Sequence, residues 1–374
     1  MLFVTSWLTG DGDSKNVRIV VAMSGGVDSS VAAALLAEQG HDVIGVSMQL
    51  YDNEGPDGGS SFGSCCSIDD LHDARRVATA IGIPHYILNL ERQFNEQVVS
   101  NFVGEYAAGR TPLPCTHCNS ELKFTTLLER ATGFGAEAVA TGHYARVERT
   151  PAGSFQLKRG KDPAKDQSYF LFALTQTQLA RAVFPVGDRP KDSVREYARA
   201  RKLPVASKPD SQEICFIPDH DYAAFVSSHA PHTPAPGAIV DETGRVLAQH
   251  GGIHRFTVGQ RKGLGLSVSP TGAPMYVLEL RPHEQQVVVG PKSSLERTRL
   301  TASGVNWIEG RPAGPSRASV QIRHRHPAAP ATVRALDDAS AEVVFDEPQI
   351  AITPGQAAVF YDSDMVIGGG WIDN

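Results

Sequence analysis

Two sets of residues in this sequence could do chemistry: a glycine-rich turn and a small group of cysteines. Ser24-Gly-Gly-Val-Asp-Ser-Ser30 packs two glycines, an acid and three hydroxyls into seven residues. Glycines let a backbone wrap closely round an anion. A helix beginning straight after them would add N–H donors and the positive end of its dipole. No Gly-Lys-Ser/Thr follows, so the turn is not a Walker A loop. The expectation is a phosphate cradle of another kind.

The five cysteines are Cys65, Cys66, Cys115, Cys118 and Cys215. Their number is small and odd, which excludes a disulfide scaffold. In a chain that is not exported they rest as thiols. Pro112-Leu-Pro-Cys-Thr-His-Cys-Asn119 places a Cys-x-x-Cys immediately before a predicted helix N-terminus, where the dipole lowers a thiol pKa. Cys215, between Ile214 and Phe216, reads either as a small core residue or as a reactive thiol. The adjacent Cys65 and Cys66 read as loop residues. Zinc would need a fourth ligand, and His117 is badly placed to supply it. Cys115, Cys118 and Cys215 could instead hold an iron–sulfur cluster with one open iron.

The surrounding pattern predicts elements that position these residues. Val17-Arg-Ile-Val-Val-Ala-Met23 is a buried strand running into the glycine turn. Apolar Val27, Val31, Ala34 and Leu35 mark a helix that stops at Gly40, with Asp28 in its first turn. Val43–Met48 and Pro84–Leu90 are further strands. Ser67 with Asp70 opens a helix reaching about Ile81. Another helix runs from Phe94 to about Ala107, and Asn119 caps one that reaches Thr132, before Ala138–Thr141. Strands alternating with helices define an α/β class with a parallel sheet covered on both faces.

Past residue 216 the helical period fades. Pro231–Gly237 reads as a linker. Val287–Gly290, Ala318–Ile322, Ala331–Ala335, Glu342–Phe345 and Ala357–Tyr361 are short strands, with a hairpin loop at Asp337–Ser340. One or two small barrel-like β-domains are expected there.

A length of 374 residues allows two or three domains. Apolar residues at 41% and charged residues at 20% are a core-forming composition. The 35 Lys and Arg against 41 Asp and Glu leave a net charge of −6, which excludes a wholesale basic coat for nucleic acid. Local basic clusters remain at His254-Arg255, Arg261-Lys262 and Arg323-His-Arg-His326. No apolar run approaches the ~18 residues that span a bilayer. The start lacks the basic region of a secretory signal, so the cytoplasm is the expected compartment.

The glycine turn resembles the pyrophosphate (PP) loop of the ATP-pyrophosphatase superfamily, whose members split ATP between the α and β phosphates and adenylate an acceptor oxygen. Together with further strings the chain resembles the tRNA-specific 2-thiouridylase family. Those strings are Ala22-Met-Ser-Gly-Gly-Val-Asp-Ser29, Gly109-Arg-Thr-Pro-Leu-Pro114, Cys118-Asn119, Ala140-Thr-Gly-His-Tyr144 and Lys165-Asp-Gln-Ser-Tyr-Phe-Leu171. Ile214-Cys-Phe-Ile217, Gly259-Gln-Arg-Lys-Gly-Leu-Gly265, Phe345-Asp-Glu-Pro348 and Pro354-Gly-Gln356 complete them. They run in order from residue 17 almost to the end.

The resemblance implies an N-terminal extension (1–16), a PP-loop ATP-binding catalytic domain (17–216), a central domain (217–284) and a C-terminal β-barrel-like domain (285–374). The family adenylates the C2 oxygen of a wobble uridine with ATP and Mg2+, then installs sulfur at C2. The resemblance makes Cys118 the nucleophile and disulfide partner, and Cys215 the persulfide carrier. It assigns the nucleotide to Ala22, Met23, Ser24, Gly25, Gly26, Val27, Asp28, Ser29, Met48 and Gly142. Leu113, Pro114 and Cys115 fall where the family meets the target base. His143, Lys165, Asp166, Gln167, Arg323, His324 and Gln356 fall where it meets tRNA. The implied partners are a tRNA with a wobble uridine and a persulfide-donating sulfur carrier protein.

One departure matters. Many members carry Asp where this chain has Cys115, so a carboxylate proton transfer does not carry over. Two other classes compete: an enzyme adenylating a small molecule, with no need for Cys118 and Cys215, and a non-catalytic ATP-binding regulator.

Overall fold

The computed structural model describes residues 16–51, 68–210, 214–217, 221–230, 235–266 and 272–374. Residues 1–15 of the N-terminal extension, Cys65, Cys66, the Ser67 cap and residues 231–234 of the expected linker lie outside them. Contacts divide the chain into two compact units. The first comprises Met1–Val98, Cys115–His220 and Asp364–Val366; the second comprises Val99–Pro114, Asp221–Ser363 and Ile367–Asn374.

The first unit is built on a parallel sheet of β1 (Arg18–Ala22), β2 (Asp42–Gln49), β3 (His85–Asn89), β4 (Ala138–Ala140) and, after a hairpin of β5 (Ala145–Arg149) and β6 (Phe155–Arg159), β7 (Ala182–Val183). The order is β3-β2-β1-β4-β7, every pair parallel. Ile19, Val20 and Val21 of the central strand are wholly buried, each contributing about 1.5–3 kcal/mol of hydrophobic stabilisation. Helix α1 (Val27–Glu38) is buried along most of its length, from Val27 to Leu36. It ends where Gly40 takes φ +85°, a backbone state that glycine adopts without strain. Helix α2 (Ile68–Ile81) buries Ala74, Val77 and Ala78 against the same sheet. The chain runs β1, β2, β3 to one side, then returns to place β4 on the other. The carboxyl ends of β1 and β4 therefore flank a topological switch point, where open α/β sheets bind ligands.

Two helical expectations are corrected. The segment expected from Phe94 begins at Glu91 and contains a π-helical stretch, Asn95–Val99, before Ser100–Ala107. The Cys-x-x-Cys does not precede its helix. Pro114 opens it, the first turn is Pro114–His117, and Cys118 starts a π-helical stretch to Thr126 that continues as Leu127–Gly133. Proline suits a first helical position, where its missing N–H costs nothing. Cys115, not Cys118, occupies the first turn, and Asn119 lies inside the helix, 2% exposed, instead of capping it.

The second unit holds two β assemblies. β8 (Gly237–Asp241), β9 (Val246–His250), β10 (Tyr276–Arg281) and β11 (Gln286–Gly290) form a sheet ordered β10-β11-β8-β9. The other contains β12 (Glu296–Trp307), β13 (Ser316–Gln321), β14 (Ala329–Ala335), β15 (Ser340–Ile350), β16 (Ala357–Asp362) and β17 (Met365–Ile372). Their order, β12-β15-β14-β13-β16-β17, closes on itself through β12 and β17. This is the expected barrel, filled by Leu300, Val320, Val333, Val343, Phe345 and Phe360. The β14–β15 hairpin turns at residues 336–339, as the Asp337–Ser340 pattern predicts.

Candidate nucleotide and sulfur-transfer site

The glycine turn joins the end of β1 to α1. Gly25 has φ +69°, and a Cβ built there would lie 2.3 Å from the backbone oxygen of Asp70 in α2. Gly26 is the N-cap and offers no side-chain cap to the helix. The first-turn amides of α1 therefore have no intrahelical acceptor and no capping side chain. Hydroxyls hold the turn: Ser24 N donates to Ser29 Oγ (3.2 Å) and Ser30 Oγ donates to the Gly26 carbonyl (2.7 Å). Met23 N donates to the Val46 carbonyl (2.8 Å), and Met23 and Met48 are buried. From β4, the turn Thr141-Gly142-His143 passes so close that a Cβ at Gly142 would lie 2.5 Å from Ser29 N. Two turns thus meet at the switch point.

Asp28 does not stand open. Tyr144 Oη donates to its Oδ1 (2.7 Å), and Lys191 Nζ lies 2.8 Å from both carboxylate oxygens. Lys191, 7% exposed, also bridges to Asp210 (2.8 Å). Asp210 receives Lys165 (2.7 Å) and Arg195 (2.6 Å) as well. Burial alone would raise the Asp210 pKa, but hydrogen bonds from Lys165 and Lys191 overcome it and hold the carboxyl at about 2. A second lysine, Lys208, donates to the Gly25 carbonyl (3.1 Å), Asp70 (2.5 Å) and Asp73 (2.7 Å). Burial opposes its charge, yet the two carboxylates keep its pKa above the ordinary lysine value.

Sequence reasoning missed Tyr144, Lys191, Lys208 and Asp210. Lys191 did leave a signal: it is the first residue of the helix Lys191–Ala200, where a cation opposes the dipole and needs a compensating acid.

Of the cysteines, Cys115 is exposed and Cys118 and Cys215 are half-buried. Next to Cys118, Asn119 donates to the Phe170 carbonyl (3.2 Å) and accepts from Lys123 Nζ (2.9 Å). His143 shares a 2.6 Å hydrogen bond with Thr141 and meets Phe184 edge-on. Burial first, and the charge of Lys123 second, push its pKa well down, leaving the imidazole neutral. The Cys215 carbonyl accepts from Tyr51 at the end of β2, and Phe216 packs edge-on against Phe94. Cys215 and Phe216 are thus held by aromatic side chains.

Among the described residues no three His, Cys, Asp or Glu side chains gather closely enough to ligate a metal. As placed, Cys115, Cys118 and Cys215 do not make the three-thiolate site an iron–sulfur cluster requires. Among the described residues no carboxylate cluster forms a cage for Mg2+ either, so that ion fits only as a companion of a nucleotide's phosphates.

The residues that the resemblance assigns to tRNA are largely engaged within the protein. Asp166 accepts from Arg159 (2.7 Å), Gly160 N and Ser168; Gln167 accepts from Tyr144 N. In the second unit, Gln356 Nε2 donates to the Thr111 (3.1 Å) and Pro112 (3.4 Å) carbonyls. Thr111 N donates to the Pro354 carbonyl (2.8 Å). The stretch leading to Leu113 and Pro114 is thereby fixed. Arg323 Nη2 donates to the Ala351 carbonyl (2.8 Å) and Thr353 Oγ1 (3.1 Å), while His324 is exposed. His254, read as part of a basic cluster, is 2% exposed and bonded to Ser227. Burial, then the charge of Arg255, lowers its pKa, so it adds no charge at neutral pH.

A parallel sheet with an uncapped phosphate turn, followed by two β modules, defines a nucleotide-using HUP-type class. The tRNA methyl transferase HUP domain model matches residues 17–219. The tRNA methyl transferase PRC-barrel domain matches 223–291, and the aminomethyltransferase beta-barrel domain 297–372. The tRNA-specific 2-thiouridylase MnmA of Solibacter usitatus is 53% identical, with 95% of this chain and 99% of that one covered. Its namesake from Geotalea uraniireducens is 50% identical over 97% and 96%. The solved NMN synthetase of Francisella tularensis aligns with 55% of this chain and 70% of its own at 14% identity and a TM-score of 0.33, too loose a likeness to bear on function. The chain belongs to the tRNA-specific 2-thiouridylase family.

Proposed function

We propose that this chain is an ATP-dependent tRNA-uridine 2-sulfurtransferase acting in the cytoplasm on tRNAs with a wobble uridine. The observation that carries the reading is the uncapped first turn of α1, closed on one side by Gly142, in the same compact unit as Cys118 and Cys215. Ala22–Ser29, Met48 and Gly142 take the nucleotide, with Mg2+ arriving on its phosphates. The α1 amides receive phosphate oxygens. The uridine C2 oxygen attacks the α-phosphorus and pyrophosphate leaves. That turns a poor leaving oxygen into a phosphate ester.

The terminal sulfur of a Cys215 persulfide, loaded by a sulfur carrier protein, then adds at C2 and AMP departs with the oxygen. Cys118 thiolate attacks Cys215 Sγ, breaking the S–S bond; the electron pair stays on the tRNA sulfur and a Cys118–Cys215 disulfide remains for an external reductant. Leu113, Pro114 and Cys115 face the target base, and Cys115 is replaceable. His143, Lys165, Asp166 and Gln167 in the first unit, and Arg323, His324 and Gln356 in the second, take part in tRNA binding. The expected divisions 17–216, 217–284 and 285–374 stand as nucleotide, central and barrel domains except at the last boundary, since β11 (Gln286–Gly290) pairs with β10 and β8 and the barrel begins at β12 (Glu296).

The test is turnover with α-labelled ATP and tRNA transcript, with nucleosides read by mass spectrometry. AMP, pyrophosphate and 2-thiouridine are expected, and Cys118→Ser or Cys215→Ser abolishes thiolation while retaining ATP binding. ADP and phosphate, or thiolation indifferent to both cysteines, would overturn it.

A further inference from the structure

Most arginines on the outer barrel face have a carboxylate partner. Arg299 and Arg334 share Glu342, Arg317 pairs with Asp346, and Arg311 with Asp338. Elsewhere in the second unit the exposed cations Arg261, Lys262 and Arg325, like Arg255 and Lys292, form no ion pair or side-chain hydrogen bond among the described residues. Arg261, Lys262 and Arg325 sit on two turns brought together in space. A Cβ at Gly259, where φ is +87°, would lie 2.7 Å from Ala351 Cβ and 3.8 Å from Arg323 Nη2.

Both turns are pinned through their backbones by glutamine amides. Gln260 Oε1 accepts from Thr257 N (3.0 Å) and its Nε2 donates to the Lys262 carbonyl (3.0 Å). Gln321, 6% exposed, donates to the Arg323 (3.0 Å) and His324 (2.7 Å) carbonyls. Arg323 ties the second turn to Ala351 and Thr353. The scaffold is rigid and its charges are unspent. In a chain of net charge −6, three unneutralised, solvent-exposed cations carried on pinned backbone turns fit a row of exposed anions better than a single buried ion.

We infer that Arg261, Lys262 and Arg325 form a phosphate-docking face for the RNA backbone, and that Arg323 is a positioning residue that braces it. The inference rests on the proposed tRNA activity and assigns its backbone contacts. Arg323 is the residue family resemblance points to, yet its guanidinium is occupied with the protein. The neighbours do the docking.

The experiment is a salt titration of labelled tRNA binding to the full chain, beside thermal melts. Wild type should lose affinity linearly in log salt. The Arg261→Ala/Lys262→Ala/Arg325→Ala variant should bind at least ~10-fold more weakly at low salt and flatten the slope by about 2–3, near 0.9 per lost phosphate contact. Its melting temperature should not move, since those side chains hold nothing in the protein. Arg323→Ala should lower the melting temperature, with a slope change of less than one contact. An unchanged slope in the triple variant, while wild type binds tRNA, overturns the docking face alone. A wild type that binds no tRNA overturns the proposed activity and the face with it. Preference for anionic phospholipid vesicles over tRNA, dependent on the same three residues, would also overturn it.

Discussion

The cations round the phosphate turn and those on the Gly259 and Arg323 turns have opposite fates. In the first unit Lys191, Lys208, Lys165 and Arg195 each touch at least one carboxylate within 2.8 Å. In the second, Arg261, Lys262 and Arg325 touch none among the described residues. A paired, half-buried cation fixes the backbone that carries its partner, because separating the pair leaves a desolvated charge. An unpaired exposed cation fixes nothing and keeps its field for a ligand. Positive charge in this protein therefore has two uses, and proximity to carboxylates tells them apart.

The sharpest way to break that contrast is Lys191→Met. It strands Asp28 and adds uncompensated charge at Asp210. Urea denaturation should show a loss of about 3 kcal/mol, and AMP formation should fall at least ~100-fold as the turn loses its preorganisation. An unchanged midpoint would mean the pair holds nothing.

A smaller effect is expected from Gln321→Ala. It frees two carbonyls and should cost about 1–3 kcal/mol. Because it removes no charge, tRNA affinity should drop while the salt slope stays.

Acid titration separates Asp210 from ordinary carboxylates. Its folded pKa is about 2, below the unfolded value near ~3.9. The unfolded chain thus binds the proton first. Stability from this group is complete above about pH 4 and is lost as pH falls toward 2. Thermal melts of Asp210→Asn should fall less steeply than wild type between those limits. Parallel curves would remove Asp210 from the network.

The smallest effect belongs to Arg299→Ala, on the exposed Glu342 ladder. Exposed pairs contribute little. Its melting temperature and tRNA salt slope should both match wild type, which makes it the control for the docking face.

The sequence displayed those parts whose local chemistry is self-sufficient. Ser24–Ser30 shows its glycines and hydroxyls, Gly40 its stop, and alternating apolar runs the parallel sheet. The first turn of the cysteine helix was obscured because Pro112 and Pro114 read as loop, although proline also suits a helix start. The π-helical stretches at Asn95 and Cys118 have no local code. Their hydrogen-bond shift is set by packing. The β5–β6 hairpin was legible and overlooked: Ala145-Arg-Val-Glu-Arg149 alternates, and Pro151-Ala-Gly153 supplies the turn. β12, with only Leu300, Ala302 and Val305 buried among polar neighbours, gives a weaker strand signal. The partners of Asp28 lie 116 and 163 residues away, beyond any local pattern.

The two glycines of the phosphate turn are spelled alike but are not interchangeable. Any side chain at 25 would have to enter the Asp70 carbonyl and hold φ +69°, so the fold itself forbids one. Position 26 has φ −91°, and its nearest obstacle is Ser24 Oγ at 3.5 Å, an ordinary contact. Alanine fits there without strain. A Gly26→Ala protein that folds as wild type but loses nucleotide would show that the ligand, not the polypeptide, excludes a methyl group. The substitution then becomes a ruler for how near the bound phosphate passes to the chain.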